Sequence, residues 1–294
     1  MSNVPRHTEH LPNSKIIRTT PEAQGDSHWN PPTGALGELV AKAEGRSRSL
    51  QAQGDRETIA LARSGITKLS AALLKQSVAV IAEIKRSSPS KGSINPYIDS
   101  AAQARRYESG GAAAISVLTE PERFGGSDED IDRVKTASGL PILKKDFHVT
   151  SRQLEHAARL DVSAALVIVR SVNRTRLREL AAAARDLDLE ILFEVRNESE
   201  LQSALEQNAR IIGVNNRNLE TLVIDPDTVS RIIPLIPADC IAVAESGYSS
   251  RESVERAAAA GADAILVGSS LSAAADPTIA VREITSVPRR ARRS

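Results

Sequence analysis

A chain of 294 residues can hold one large barrel or two ordinary domains, and either way it buries a sizeable core. Its 38 Lys and Arg nearly cancel 37 Asp and Glu, which argues against a nucleic-acid or membrane-surface footprint and leaves a small molecule as the default partner. Cys240 stands alone, so no intrachain disulfide or cysteine metal cluster can form, and no apolar run reaches spanning length; a soluble, cytoplasmic protein is expected.

In chain order, residues 1–33 are polar, rich in Pro, Thr and His, and lack a hydrophobic period, so they read as a disordered arm ending near Trp29-Asn30-Pro31-Pro32. His7 and His10 lie within it without further ligands on a rigid element, and no metal is expected. Residues 34–74 read as a helical extension that covers the mouth of the domain after it. From there, apolar β-rich runs alternate with Ala-, Leu- and Arg-rich stretches about every 25 residues, the rhythm of βα units. The runs are Val78 to Ile84, Ala113 to Leu118, Pro141 to Leu143, Ala164 to Val169, Glu190 to Phe193, Ile211 to Val214, Ile241 to Ala244 and Ala264 to Val267. Hydrophobicity that is continuous rather than alternating means that both strand faces are buried, as in a parallel sheet covered by helices. The intervening stretches, such as Arg174 to Asp186 and Arg251 to Ala260, carry apolar residues at helical spacing. Eight such units over 34–287 imply one α/β domain, a (β/α)8 TIM barrel with an N-terminal helical extension. An open doubly wound sheet competes, but the Gly-x-Gly-x-x-Gly turn expected after its first strand is missing. Residues 288–294 read as a solvated basic tail.

In a barrel of this kind, chemistry sits where strands end at their carboxyl edge. Here the apolar runs stop at Glu83-Ile84-Lys85, Lys144-Lys145-Asp146, Glu194, Asn215-Asn216-Arg217 and Glu245-Ser246-Gly247. Strand residues two apart share a face, so Glu83 and Lys85 point together, whereas Lys144 and Lys145 point oppositely and only one can enter the mouth. Polar strand ends are also what water contact alone produces; the convergence of several carboxylates and ammonium groups is what suggests acid–base chemistry. Glycines in Glu245-Ser246-Gly247 and Gly268-Ser269-Ser270, after the last two strands, suit backbone binding of a phosphate. The loop Ser87-Ser88-Pro89-Ser90-Lys91-Gly92 suits folding over an anionic ligand.

The run from Ile81 through Lys85-Arg86-Ser87-Ser88-Pro89-Ser90 to Gly92 resembles the first-strand signature of indole-3-glycerol-phosphate synthases. The resemblance continues in order through Ser116-Val117-Leu118-Thr119, Phe124-Gly125-Gly126-Ser127, Lys145-Asp146-Phe147, Glu194-Val195, Ile212 to Leu219, Glu245-Ser246-Gly247 and Val267 to Leu271. It implies a barrel of the ribulose-phosphate-binding type that needs no cofactor and acts on a phosphorylated small molecule, as a monomer or weak homo-oligomer. By carry-over, Lys145 is the general acid at a ketone oxygen and Glu194 handles a proton during dehydration. Lys85 stabilises charge and shares the acid role, while Glu83 and Asn215 hold the substrate and assist proton movement. Ser88 and Arg217 face an aromatic carboxylate, Phe124 and Phe147 pack the ring, and Pro89, Ser90 and Leu219 belong to the same substrate site. Gly247, Gly268 and Ser269 take the phosphate, and Glu245 and Ser246 complete the substrate site. Related phosphoribosyl barrel isomerases share the phosphate loops, and a non-catalytic barrel paralogue shares the fold; product formation separates all three. Two departures stand out: Arg196 where the family commonly has His, expected to face solvent, and Asp161-Val162-Ser163 for a usual Gly-Ala-Asp, expected to strain its turn.

Overall fold

The computed structural model describes residues 29–50, 56–63 and 65–292; of the disordered arm expected over 1–33, residues 1–28, with His7 and His10, lie outside the described residues. Eight strands form the closed barrel: β1 (Ala79–Ile84), β2 (Ala114–Leu118), β3 (Ile142–Lys145), β4 (Ala164–Ile168), β5 (Glu190–Val195), β6 (Ile211–Asn215), β7 (Ile241–Glu245) and β8 (Ala264–Val267). Each pairs in parallel with its sequence neighbours, and β8 closes on β1. Helices between the strands cover the outer surface. Nearly every strand position is buried, which explains runs without alternation. β3 and β5 extend two residues beyond their apolar runs, to Lys145 and Val195. Lys145 and Glu194 remain in the ladder because their side chains turn into the mouth and meet there, while Lys144 turns outward onto Thr119 and Asp128.

The N-terminal extension consists of α1 (Gly34–Ser49), α2 (Arg56–Ala62) and α3 (Leu69–Leu73). Only α1 covers the mouth: Leu39 faces the cavity there, and Arg46 donates to Asp146 at 2.7 Å. α2 lies against the barrel's side, where Arg56 pairs with Glu155 (3.0 Å) and Asp186 (3.1 Å) on two outer helices. α3 sits at the opposite end, with Ser70 N donating to Glu190 Oε2 at 3.0 Å where β5 begins. The extension therefore runs the height of the barrel instead of capping its mouth throughout. The reason is that a chain leaving the mouth must reach the far end before β1 can enter upward.

The basic tail is likewise not simply solvated. Arg289 N donates to Gln76 O (3.0 Å), and the Arg292 side chain, 5% exposed, pairs with Asp263 at 2.6 Å and donates to Gly261 O at 2.8 Å. Asp263 is buried just before β8 and accepts Ala242 N (2.8 Å), so it needs the counter-charge the tail supplies.

At the departure before β4, Asp161 adopts φ +56°, the left-handed conformation a glycine would enter without strain. Two cations offset the cost. Lys135 contacts Leu160 O (3.1 Å) and the Asp161 carboxylate (3.0 Å), and the buried Arg63 donates to Ala158 O (2.8 Å) and Val162 O (2.7 Å). Positive side chains on the last carbonyls of a helix complement its dipole.

Arg292→Ala is expected to lower unfolding free energy by about 2–4 kcal/mol, because Asp263 stays buried with a weakened partner set. Urea titration checks this; a loss under about 0.5 kcal/mol, typical of a surface substitution, contradicts it.

Candidate active site

All the residues singled out from the sequence, from Glu83 and Lys85 to Gly268 and Ser269, line one cavity of about 250 Å³ at the carboxyl ends of the strands. Its floor is ionic. Lys85 Nζ lies 2.7 Å from Glu83 Oε1, and Ser116 Oγ donates to the other oxygen of that carboxylate at 3.4 Å. Opposite, Lys145 Nζ stands 3.4 Å from Glu194 and 3.4 Å from Glu245. Lys144 points the other way, as the period of two requires, and is buried against Thr119 (2.9 Å) and Asp128 under the helix layer.

These groups set one another's protonation. Burial opposes the charge on Lys145, but Glu245, Glu194 and Glu83 outweigh it and hold the ammonium above the ordinary lysine range. Burial also opposes the charge on Glu83, and Lys85 and Lys145 outweigh it, so that carboxyl is held below its usual range. Glu245 goes the other way: burial, reinforced by Glu194 and Glu83, prevails over the attraction of Lys145 and raises it well above ordinary carboxylates. The charge count accounts for this. Three buried carboxyl groups face two ammonium groups, so full ionisation leaves one negative charge in excess, and Glu245 retains the proton that removes it.

Two glycines make room for this floor. A Cβ on Gly213 would lie 2.1 Å from Glu245 Oε1, and one on Gly268 would lie 2.3 Å from Glu83 Oε1. Gly268, read from sequence as a phosphate-loop residue, thus also clears space for the Glu83–Lys85 pair. Asn215 links two sides of the mouth: its amide donates to Glu194 Oε1 (3.0 Å) and its carbonyl accepts Arg217 N (2.8 Å). Arg196 is not free in solvent; it is half-buried, and its Nε donates to Asn215 O at 3.2 Å, bracing that residue from behind.

The walls separate an apolar side from a polar one. Phe124 and Phe147, two of only three phenylalanines in the chain, stand 6.3 Å apart at 38°, and Lys85 Nζ lies 5.9 Å from the Phe124 ring centre. Tyr248 and Leu39 add to this lining and were not found from the sequence, since Leu39 lies on α1 and Tyr248 follows the Glu245-Ser246-Gly247 strand end without a charge to mark it. Arg217 donates to Leu222 O at 2.9 Å, burial alone lowers its pKa, and among the described residues no carboxylate pairs with it. It therefore offers an uncompensated positive charge to a ligand. Ser88 is buried in a short ribbon, Ser87–Ser88 against Gly92–Ser93, rooted by Arg86, which grips Asp130 with both nitrogens at 2.6 and 2.8 Å. Across the mouth, Ser246 (φ +67°) and Gly247 (φ +93°) curl backward after β7, and Gly268 opens the short helix Ser269–Ser272 after β8.

The barrel resembles solved structures of low sequence identity, including 3-hexulose-6-phosphate synthase from Salmonella typhimurium (TM-score 0.57, 13% identity, 70% of this chain and 96% of that one). Thiamine phosphate pyrophosphorylase from Pyrococcus furiosus is another (TM-score 0.53, 16% identity, 70% and 93%). These share the fold. The sequence relatives are nearer. Indole-3-glycerol phosphate synthase 1 of Streptomyces coelicolor is 46% identical over 214 residues, covering 73% of this chain and 80% of that protein. The indole-3-glycerol phosphate synthase of a Nocardioides species is 48% identical over 208 residues, covering 71% and 80%. The family model described as indole-3-glycerol phosphate synthase matches residues 38–284, a span that holds the whole barrel and every charged group on its floor. The chain belongs to the indole-3-glycerol phosphate synthase family.

Proposed function

We propose that this barrel is a carboxy-lyase of tryptophan biosynthesis that closes the indole ring, converting 1-(2-carboxyphenylamino)-1-deoxyribulose 5-phosphate to indole-3-glycerol phosphate with loss of carbon dioxide and water. The observation that carries the reading is the buried Lys145 ammonium between Glu194 and Glu245, facing the Glu83–Lys85 pair. The substrate spans the cavity: its phosphate meets the backbone of Gly247, Gly268 and Ser269, its ring lies by Phe124 and Phe147, and its carboxylate faces Arg217 and Ser88.

Lys145 protonates the ketone oxygen as the ring carbon bearing the carboxylate attacks the ketone carbon. Carbon dioxide then departs and its bonding electrons restore the aromatic ring. The new hydroxyl takes a second proton, from Lys85, and leaves as water, while Glu194 removes a proton from the carbon beside nitrogen. Two protons go onto oxygen and one comes off carbon, so each turnover takes up one. Glu245, protonated and 3.4 Å from Lys145, is placed to return a proton to the spent amine. Glu83 steadies Lys85, and Asn215 orients Glu194. No helix among the described residues is long and apolar enough to cross a membrane, and the lone cysteine supports a cytoplasmic setting.

Incubation with the substrate is expected to generate indole fluorescence; a folded protein that binds substrate without product contradicts the reading. Lys145→Ala should lower kcat by about 10²–10⁴-fold, the range of general acid catalysis, with a much smaller change in KM; an unchanged rate refutes its role. Arg217→Met should act mainly on KM, raising it about 10–100-fold through loss of a charged hydrogen bond. If kcat alone falls, Arg217 does not hold the carboxylate.

Stability should depend on pH through the same floor. Folding raises the pKa of Glu245 from 4.5 to about 8, so its contribution is fully present below pH 4.5 and is lost as pH rises through the folded value. An amide at this position cannot ionise. Glu245→Gln should therefore melt near the wild type at pH 5 and above it at pH 9; a lower melting temperature at pH 9 contradicts the assignment.

A further inference from the structure

The ladder between β1 and β8 ends at Ala82 and Val267, where β8 turns away into Gly268. Two polar groups of β1 lie beyond that last pair and face the same side: the carbonyl of Glu83 and the amide of Lys85. Odd-numbered residues of β1 present both backbone groups toward β8, as Ala79 N does in donating to Asp263 O at 3.0 Å. One side chain fills the place of the missing strand residue. Ser272 Oγ accepts from Lys85 N at 3.1 Å and donates to Glu83 O at 3.0 Å. Ser272 is 1% exposed, so bulk water does not reach these two groups. The hydroxyl of the fully buried Tyr107 donates to the same Glu83 carbonyl at 3.1 Å.

The residues held by this rung carry the Glu83–Lys85 pair, and the clearance around that pair is small. A Cβ on Gly268 would meet Glu83 Oε1 at 2.3 Å and Lys85 Nζ at 3.3 Å. A tilt of the β1 end therefore moves the pair against the backbone of the loop after β8. Ser272 belongs to the short helix that begins at Ser269, so it also ties the acid–base pair to the loop that faces the phosphate.

We propose that Ser272 is a positioning residue: its hydroxyl completes the β1–β8 ladder and fixes the Glu83–Lys85 pair in the geometry that ring closure requires. This rests on the ring-closing reading. A hydroxyl serves because it donates and accepts at once; alanine does neither, and cysteine keeps the volume while bonding weakly.

The test compares Ser272→Ala, Ser272→Cys and Ser272→Thr with the wild type in the substrate-to-indole assay. Ala and Cys are expected to lower kcat about tenfold, the worth of one buried hydrogen bond, with KM within about twofold of wild type. Thr, which retains the hydroxyl, is expected to recover most of the loss. Loosening the pair weakens the hold of Lys85 on Glu83, so the acid limb of the kcat profile moves to higher pH, and amide exchange at Lys85 quickens. If Ser272→Ala does not fold, the isosteric Ser272→Cys carries the comparison. A Cys variant with wild-type kcat and acid limb overturns the proposal, as does a Thr variant no better than Ala. Turnover by the wild type with an unaffected Cys variant removes the role of Ser272 alone; a wild type that makes no indole removes the ring-closing reading and this proposal with it.

Discussion

The site depends on a shortage of positive charge in a closed space. Lys145 is enclosed by Glu194 and Glu245, with Glu83 near enough to add to their field, and Lys85 answers only part of that negative charge. Charges buried at the end of a barrel cannot be neutralised by solvent, so they must pair or hold a proton. The arrangement does both: it keeps Lys145 an ammonium ion and keeps Glu245 a neutral acid. A lysine serving as an acid does not need a depressed pKa; it needs to remain charged until a developing oxyanion lies beside it.

The fold meets this requirement by distance. The groups come from β1, β3, β5, β6 and β7; the end of β1 fixes two of them, Glu83 and Lys85, and each of the other strand ends fixes one. Around this floor the protein removes material where side chains would collide, at Gly213 and Gly268, and adds supports where the backbone would loosen. Arg196 braces Asn215, Arg86 roots the Ser88 ribbon through Asp130, and Arg46 reaches from α1 to Asp146 beside Lys145. At the far end, Arg292 against Asp263 and α3 against Glu190 hold the barrel closed.

Much of this was legible in the sequence because it derives from local period. Continuous apolar runs marked the eight strands, their ends marked the charged groups, and a period of two separated Lys145 from Lys144. What was not legible depends on lateral neighbours. Nothing in the run Pro288 to Arg293 says that Arg292 meets a buried Asp263 some thirty residues earlier. Arg196 lies one residue past the end of β5, and only the position of β6 turns it onto Asn215. Ser272 looks like any helix serine until the early end of β8 leaves two groups of β1 in need of a partner. Asp161 is the converse case, where a missing glycine correctly foretold a left-handed turn but not the Arg63 and Lys135 contacts that support it.

At neutral pH the floor of the cavity holds one carboxyl proton beside a charged lysine. Carbon-detected NMR titration of the free protein, with glutamate carboxyl and lysine Cε signals labelled, reads both groups directly. At pH 7 the Glu245 carboxyl is expected to give the protonated shift while Lys145 remains an ammonium ion and Glu83 a carboxylate. A Glu245 signal fully ionised at pH 6, or a Lys145 that is neutral at pH 8, would contradict it.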